Sequence, residues 1–386
     1  MFLYNKQVYC DNGQIMKIAI LGYGVVGKGV AKLAIENKID VSYILMRQND
    51  DLTLPNMCKD LDTILNDDQV ECVVECIGGD EPAFSYVKRC LNNRKNVVSS
   101  NKKMLVNHFD ELYNLSKKNN VKLLFSAACG GGIPWIKTLS NIKNISSINY
   151  FEGIMNGTSN FILDNIFTQN VSFEDSLKKA QMLGYAEADP SDDVDGLDTA
   201  NKTILSSIVA YGANFKINDL FIKGIRYFNN DDLKFCLNNH YRCVLVGKGT
   251  KINNKYHLAV MPRFVNKKSS FYSISKNHNC FILNTNNLND LYLIGQGAGS
   301  LPTASNIIND IFDLNQPYTY SLNNLNNEMD YDSIKSKYYI RTNHLIDNKY
   351  IDIKINQNCF ISKEISINEI KEFLKDDDFI GEISND

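Results

Sequence analysis

A short apolar strand, a glycine-rich turn and a helical pattern follow one another near the start of the chain. Residues 16–21 are the strand candidate, Gly22-Tyr23-Gly24-Val25-Val26-Gly27 matches G-x-G-x-x-G, and apolar side chains recur at helical spacing over 30–34. In this order, the turn brings backbone N–H groups at a helix N-terminus close to a pyrophosphate. The pattern therefore predicts a dinucleotide-binding unit, and the alternative is a tight turn that binds nothing.

Strand and helix candidates then alternate as far as residue 127. Strands are predicted at Val41–Met46, Glu71–Ile77, Asn96–Ser99 and Val121–Ala127, and helices at Pro82–Asn92 and Phe109–Asn119. Such alternation is typical of a doubly wound parallel sheet of the Rossmann type.

Three regions are predicted along the chain. The α/β domain covers 16–136 and is completed by a returning segment at 295–312, while 140–294 mixes helices with alternating strands as an α+β domain for catalysis and dimerisation. Residues 328–386 show a strand period and then a helix period, which indicates a short β/α appendage. We expect 1–15 to be an extension outside the fold and 321–327 to be a linker.

Composition narrows the classes of function. The 386 residues carry a net charge of −3 without a long basic run, which argues against nucleic acid as a partner. No signal peptide or apolar run of membrane-spanning length is present, so no membrane association is expected. Ten cysteines without paired spacing are typical of reduced thiols in a cytoplasmic protein.

The residues that follow the strands suggest which cofactor binds. Arg47 follows the second strand, where an acid would hold the ribose hydroxyls of NAD, and arginine favours the 2′-phosphate of NADP. An exposed loop arginine is the alternative, and NAD remains possible. Gly78 ends another strand at the edge that receives ligands, and Lys102 follows the next strand, where it is either solvated or close to the nicotinamide and substrate.

An acidic loop runs from residue 183 into a helix that carries Asp198 and Lys202 one turn apart. Leu205 and Val209 continue the same face, so the charged pair extends an apolar stripe. The alternative is an exposed ion pair that contributes little to stability. Earlier in the chain, Asn156-Gly157-Thr158-Ser159-Asn160 precedes a helix. The free N–H groups at the start of that helix suit a carboxylate ligand, and the alternative is that these residues only cap the helix.

Together these motifs resemble the homoserine dehydrogenase family over about 16–312. The matching segments are Ile20–Gly27, Gly78–Ala83, Val97–Lys102, Gly130–Pro134, Gly153–Leu163, Leu183–Lys202 and Gly297–Ser305. The resemblance implies NAD(P)H-dependent reduction of L-aspartate 4-semialdehyde to L-homoserine, on the route to threonine and methionine. It also implies a homodimer acting on a small-molecule substrate.

The resemblance implies roles for individual residues. Lys202 matches the proton donor, with Asp198 and Lys102 beside it in catalysis. The residues that the resemblance and the motifs assign to the substrate are Glu187, Asp198, Asp192, Tyr185, Thr158 and Gly157. The cofactor would contact the 22–27 turn together with Arg47, Gly78, Lys102, Gly184 and Gly297.

Two departures from the family pattern stand out. The family holds a monovalent cation with a glutamate where this chain has Ser126, which leaves the backbone carbonyls of Cys129, Gly131 and Ile133. Without the carboxylate, tight binding of sodium is not expected. The tail from Lys337 resembles a reduced ACT module that lacks its first glycine turn and helix, so the resemblance does not carry feedback control by threonine.

Two other functions stay open at the level of sequence. One is a different amino-acid-linked NAD(P) dehydrogenase, and the other is a catalytically silent nucleotide-binding paralogue. The presence of Lys202, Asp198 and Glu187 together argues against the silent protein.

Overall fold

The computed structural model describes residues 16–317, 320–322 and 327–384. The predicted N-terminal extension at 1–15 lies outside these residues, as do positions 323–326 of the predicted linker. Among the residues that are described, no helix is long and apolar enough to cross a membrane.

The strands of the described residues are given in chain order. They are β1 (Lys17–Leu21), β2 (Asp40–Leu45), β3 (Met57–Cys58), β4 (Val70–Glu75), β5 (Asn96–Ser99), β6 (Leu123–Leu124), β7 (Ile148–Ile154), β8 (Phe221–Ile222), β9 (Arg242–Ile252), β10 (Lys255–Val265), β11 (His278–Thr285), β12 (Asn289–Gln296), β13 (Lys335–Ser336), β14 (Tyr338–Arg341), β15 (Ile351–Lys354), β16 (Cys359–Ser362), β17 (Ile365–Ser366) and β18 (Phe379–Ile383).

The α-helices are given in the same way. They are α1 (Val25–Glu36), α2 (Leu61–Leu65), α3 (Ala83–Asn92), α4 (Lys102–Lys118), α5 (Trp135–Ile142), α6 (Gly157–Gln169), α7 (Phe173–Met182), α8 (Ser191–Val194), α9 (Leu197–Tyr211), α10 (Asn230–Asn238), α11 (Ser300–Phe312) and α12 (Ile367–Lys371).

The chain divides into two compact units. The described residues up to Asn141 form the first unit together with Gln296–Tyr320, and Ile142–Gly295 forms the second with the described residues from Ser321 onward. The first unit contains a six-stranded sheet in the order β3-β2-β1-β4-β5-β6, and every pair in it is parallel. Strands β1 and β4 are almost entirely buried, as expected for the centre of a parallel sheet.

Helix α4 begins earlier than the sequence pattern predicts. The predicted start was Phe109, whereas the helix starts at Lys102 and bends at His108, where φ is −126° and ψ is 15°. The Asn101 side chain accepts a hydrogen bond from Met104 N at 3.2 Å and caps the extra turns. The kink interrupts the apolar period at this point, which explains why the pattern indicated only the second half of the helix.

The second unit contains a ten-stranded mixed sheet. Its order is β12-β11-β7-β9-β10-β18-β14-β16-β15, and β8 pairs with β10 outside that path. The pairs within β11-β7-β9-β10 are antiparallel, and β18 joins β10 in parallel through Arg263↔Glu382 and Phe264↔Ile383. The predicted fold class, a doubly wound parallel sheet followed by an α+β domain and a β/α appendage, is confirmed.

The C-terminal strands extend the sheet of the second unit. When β14, β15, β16 and β18 are numbered 1 to 4 along the chain, their order across the sheet is 4-1-3-2. This is the strand order of a ferredoxin-like βαββαβ module. The helix that would join the first two strands is replaced by a loop and a 3₁₀ turn at Asn348–Tyr350. The resemblance to a reduced ACT module stays a prediction.

Candidate active site

The glycine turn of the first unit has the geometry that its sequence requires. Gly22 has φ of +92°, a left-handed conformation that a side chain would strain. A Cβ on Gly27 would lie 2.1 Å from Gly22 O, so this helix position accepts only glycine. The turn can therefore close tightly at the start of α1, where free N–H groups suit a phosphate.

A cavity of about 480 Å³ opens beside this turn. Its lining contains the sequence-predicted Gly22, Tyr23, Gly24, Arg47 and Gly78, together with Leu45, Met46, Asp50, Cys76, Ile77, Glu81, Pro82 and Tyr86. The carboxyl ends of β1, β2 and β4 thus bring these residues to one edge of the sheet, where an open α/β sheet receives its ligand.

Arg47 is exposed and lines the cavity, and an acidic residue lies beside it. The backbone N–H of Arg47 donates to Asp50 Oδ2 at 3.2 Å, and both residues line the cavity. Asp50 was not among the predicted site residues because it comes several positions after the strand, and no local signal marks it. Asp50 therefore brings a carboxylate to the same cavity as Arg47.

Glu75 supports the loop at the edge of the cavity, and the sequence pattern did not identify it. It is fully buried at the end of β4. Its Oε1 accepts hydrogen bonds from the backbone N–H groups of Ile77 at 2.8 Å and Gly78 at 3.3 Å, and Ser99 donates to Oε2 at 2.5 Å. Burial raises the pKa of this carboxyl group. A glutamate inside an apolar strand is the sequence signal that could have identified it.

The same network places Lys102. Asn101 donates to Gly79 O at 2.6 Å and caps α4, which starts at Lys102. Because Asn101 ties the start of α4 to the loop that follows Gly78, this loop sets where the first turn begins. Lys102 is the first residue of that turn and is half-buried. Gly297, another predicted cofactor residue, lies in the segment before α11.

Helix α9 carries the charged pair of the second unit. It begins after Gly196 and packs against β9 at Gly247, where a Cβ would lie 2.4 Å from Thr203 Oγ1. This close approach buries the helix on nearly every side. Asp198 is only 6% exposed and Lys202 only 8%, so the prediction that they continue the buried stripe agrees with the structure.

The ammonium of Lys202 is held by two oxygen atoms. Lys202 Nζ donates to Asp198 Oδ2 at 2.8 Å and to Met155 O at 2.6 Å. Asn279 Nδ2 also donates to Met155 O, at 2.9 Å. Because both members of the ion pair are buried, their mutual orientation is fixed far more firmly than in an exposed i, i+4 pair.

A second carboxylate joins this cluster through Asn156. Asn156 Nδ2 donates to Asp198 Oδ2 at 2.8 Å and to Asp193 Oδ1 at 2.6 Å. Burial raises the pKa of Asp193, and the nearby charge of Asp198 raises it further. The sequence pattern favoured Asp192, which is exposed on α8, and its neighbour Asp193 is the residue that contacts the cluster. Adjacent aspartates cannot be distinguished without the turn of α8.

The remaining predicted substrate residues lie around the start of α6. The Asn156 side chain accepts a hydrogen bond from Ser159 N at 2.7 Å and caps this helix. Gly157 is its first residue, and Thr158 Oγ1 donates to Tyr185 O at 2.7 Å. The loop that contains Gly184, Tyr185 and Glu187 is exposed.

The candidate cation ligands lie in the first unit, beneath α11. Asn306 Nδ2 donates to Gly131 O and, at 3.0 Å, to Ile133 O. The Cys129 side chain is buried nearby in the chain. No group of three or more histidine, cysteine or acidic side chains that could hold a metal is found in the described part of the chain.

Comparisons with known proteins agree with these features. The family model described as homoserine dehydrogenase matches residues 134–312, and the model of the NAD-binding domain of homoserine dehydrogenase matches 22–126. A homoserine dehydrogenase from Lactococcus lactis is 34% identical over 313 residues, which are 77% of this chain and 73% of that protein.

Several solved structures are similar to this one. The homoserine dehydrogenase from Thiobacillus denitrificans has a TM-score of 0.85 at 25% identity and covers 96% of this chain and 98% of its own. A hyperthermophilic archaeal homoserine dehydrogenase in complex with NADPH has a TM-score of 0.69 at 25% identity and covers 79% of this chain and 99% of its own. The glycine turn with its cavity, the buried lysine and aspartate on α9, and these matches together show that the chain belongs to the homoserine dehydrogenase family of NAD(P)-dependent oxidoreductases.

Proposed function

We propose that Lys202 is the proton donor when this enzyme reduces L-aspartate 4-semialdehyde to L-homoserine. The observation that carries the proposal is the buried Lys202 ammonium, which Asp198 and the Met155 carbonyl hold in one orientation. A fixed cation of this kind can meet a developing negative charge without first reorganising solvent.

The chemistry requires one hydride and one proton. A reduced nicotinamide cofactor held at the Gly22–Gly27 turn and Arg47 would supply the hydride to the aldehyde carbon, and negative charge would then develop on the carbonyl oxygen. Lys202 then transfers a proton to that oxygen, which yields the hydroxyl group of homoserine. Asp198 positions the donor, and we propose Lys102 as a second cation at the cofactor side of the substrate.

The substrate also carries an ammonium and a carboxylate. We assign the ammonium to the carboxylates of Glu187 and Asp198 and to the hydroxyl of Tyr185. Asp193 takes the place of the sequence-predicted Asp192 in this assignment, because it contacts the cluster through Asn156. We assign the carboxylate to the N-terminus of α6, where Gly157 and Thr158 lie and where the helix dipole favours an anion.

A direct assay tests the proposed reaction. Purified protein is mixed with L-aspartate 4-semialdehyde and NADPH while the absorbance of the reduced cofactor is followed. We expect substrate-dependent oxidation of NADPH, together with formation of homoserine. Oxidation only with related aldehydes would indicate a different amino-acid-linked dehydrogenase, and cofactor binding without turnover would indicate a silent paralogue.

We further propose that NADPH is preferred to NADH. Arg47 lines the cavity beside Gly22 and Gly24, and a guanidinium pairs well with a 2′-phosphate. The archaeal relative in complex with NADPH supports this choice. Asp50 opposes it, because its carboxylate also lines the cavity and can accept hydrogen bonds from a ribose hydroxyl.

Replacing Arg47 with alanine should lower the preference for NADPH. A hydrogen bond to a charged group is worth about 1.5–3 kcal/mol, so the ratio of kcat/KM for NADPH to that for NADH should fall by at least about tenfold. Initial rates with both cofactors measure the ratio. Asp50→Asn should raise the ratio, because it removes the carboxylate that can accept hydrogen bonds from a ribose hydroxyl.

Arg89 offers a matched control for this measurement. It is a half-exposed arginine of the same unit that pairs with Asp62 and does not line the cavity. Arg89→Ala should leave the cofactor ratio unchanged. If Arg47→Ala behaves in the same way, Arg47 does not set the preference.

We propose that the protein is a homodimer that associates through the sheet of the second unit. Strand β12 is at one end of that sheet, and Tyr292 and Ile294, on one face of it, are 43% and 58% exposed. Exposed apolar side chains on an edge strand are an association surface. Sedimentation equilibrium should give twice the chain mass, and Ile294→Lys should shift the population toward monomer.

We also propose a cytoplasmic location. The nine cysteines of the described residues are free thiols, and most of them are buried, as expected for a reducing compartment. Cell fractionation tests the proposal, and recovery of the protein from an oxidising compartment would contradict it.

A further inference from the structure

We propose that the side-chain amide of Asn306 replaces the monovalent cation in this chain, so that the loop of Gly131–Ile133 is held without sodium. The family resemblance assigns the Gly131 and Ile133 carbonyls to a cation, and the residues present do not fit that ion. The inference concerns this loop of the first unit and does not depend on the proton donor or on the cofactor preference.

The amide nitrogen occupies the position of a shared ligand. Asn306 is 3% exposed, and its Nδ2 donates both to Gly131 O and to Ile133 O. An amide nitrogen carries two donors, one for each carbonyl. A cation close enough to bind the same two oxygens would face these partly positive hydrogens across a short distance, so the amide and the cation exclude each other.

The carbonyl of Ile133 has no capacity left for a cation. It accepts a hydrogen bond from Trp135 N at 2.7 Å in addition to the bond from Asn306 at 3.0 Å. A carbonyl oxygen has two lone pairs, and both are therefore used. Binding sodium here would require one of these bonds to break inside a buried site.

The anionic ligand of the cation is also replaced. Ser126 is 3% exposed and stands where the family has a glutamate. Its backbone N–H donates to Asp310 Oδ2 at 2.8 Å, and its hydroxyl interacts with the same carboxyl group. A second carboxylate at position 126 would lie against Asp310 and would need a cation between them. With serine, that requirement disappears.

Helix α11 supplies both Asn306 and Asp310, so one helix face organises the whole loop. A Cβ on Gly131 would lie 2.5 Å from Gly297 O, and Gly132 N donates to Gln296 O at 3.3 Å. The loop is thus packed against the segment that leads into α11. Two side chains of this chain therefore perform the cross-linking for which the family uses an ion.

Thermal unfolding in different salts tests the proposal without relying on activity. The wild-type protein is heated in sodium, potassium and choline chloride at equal ionic strength. Because no site in this loop binds the ion, we expect the three Tm values to agree within about 1 °C. Equal ionic strength matches the screening of charges, so that specific binding to the native state would raise Tm in sodium alone. A saturable stabilisation by sodium alone would overturn the proposal.

Asn306→Asp converts the two donors into a carboxylate that faces the carbonyl oxygens. We expect this variant to lose stability in choline chloride and to recover by at least about 3 °C in sodium chloride, because the ion now bridges the oxygens. Asn309→Asp is the matched control, since Asn309 is exposed on the same helix, and it should show no sodium-specific shift.

Asn306→Ala provides a second variant if the aspartate cannot fold. It removes the amide without adding charge and leaves the two carbonyls to water or to an ion. We expect a lower Tm than that of the wild type in every salt. Tm values of both variants that equal the wild-type value in every salt would show that the amide does not hold the loop.

Discussion

Replacing Lys202 with methionine is expected to lower kcat at least about 100-fold, the usual scale for the loss of a positioned acid. Methionine has a similar length and no proton to give, so the carbonyl oxygen must take its proton from solvent. The measurement is steady-state oxidation of NADPH at saturating substrate, together with cofactor binding followed by fluorescence. Cofactor binding should be unchanged, because the nucleotide cavity lies in the other unit.

Lys202→Arg separates proton transfer from charge stabilisation. Arginine keeps the positive charge beside Asp198 but does not release a proton near neutral pH. We therefore expect a loss of kcat close to that of the methionine variant. If arginine restores the rate to within about fivefold of the wild type, the residue acts through its charge, and another group gives the proton.

Lys234 is the matched control for these variants. It pairs with Asp231 on helix α10, but both side chains are largely exposed. Lys234→Met should retain the wild-type kcat and Tm. Because Lys202→Met also leaves Asp198 buried without its cation, its Tm must be measured. A kcat near the wild-type value in a folded Lys202→Met protein would remove Lys202 from its proposed role.

Replacing Glu382 with glutamine is expected to destabilise the second unit by about 3 kcal/mol at pH 7, the lower end of the cost of breaking a buried ion pair. Arg263 Nε donates to Glu382 Oε2 at 2.7 Å, and its Nη1 donates to Glu152 Oε2 at 2.8 Å. The first contact joins the parallel pair of β10 and β18, and the second joins β10 to Glu152 on β7. Urea unfolding monitored by circular dichroism measures the loss.

The same variant should show a defined dependence on pH. Burial alone would raise the pKa of Glu382, but the charges of Arg263 and Lys248 outweigh it and lower the pKa to about 2, against an ordinary value of 4.5. A depressed carboxyl pKa stabilises the folded state above the unfolded pKa and loses this contribution as the pH falls through the folded one. The difference between wild type and Glu382→Gln should therefore shrink between pH 4.5 and pH 2.

Asp352 provides the control for the appendage. Its ion pair with Lys337 joins β15 to the residue that lies between β13 and β14, but both side chains are partly exposed. Asp352→Asn should cause no measurable loss of stability, since exposed pairs contribute little. A difference between wild type and Glu382→Gln that persists unchanged to pH 2 would show that the charge of Glu382 does not anchor β18.

The sequence predicted the parts of this protein that are encoded by neighbouring residues. The strand, turn and helix over 17–36 follow from apolar runs and glycines in direct succession, and the buried face of α9 follows from a helical period that includes Asp198 and Lys202. Arg47 and Gly78 were predicted at the ligand-binding edge of the sheet because each of them comes directly after a strand. In each case, local conformation alone specifies which side chains share a surface.

Several residues of the candidate site could be identified only from the tertiary structure. Asp193 rather than Asp192 contacts Asn156 because the single turn of α8 directs it there. Asp50 reaches the nucleotide cavity from a loop whose path no sequence period describes. Glu75 becomes a support for the Gly78 loop only when β4 and β5 lie side by side.

The sequence by itself determined a doubly wound dinucleotide unit, an α+β unit and a lysine–aspartate pair on one helix, because short-range steric and hydrophobic periods fix such features. Only the tertiary structure decided that β18 continues the sheet at β10 and that Asn306 bonds Gly131. These contacts join residues 119 and 175 positions apart, and which distant partners meet depends on how whole elements pack. That packing energy is shared among many side chains, so no single motif records it.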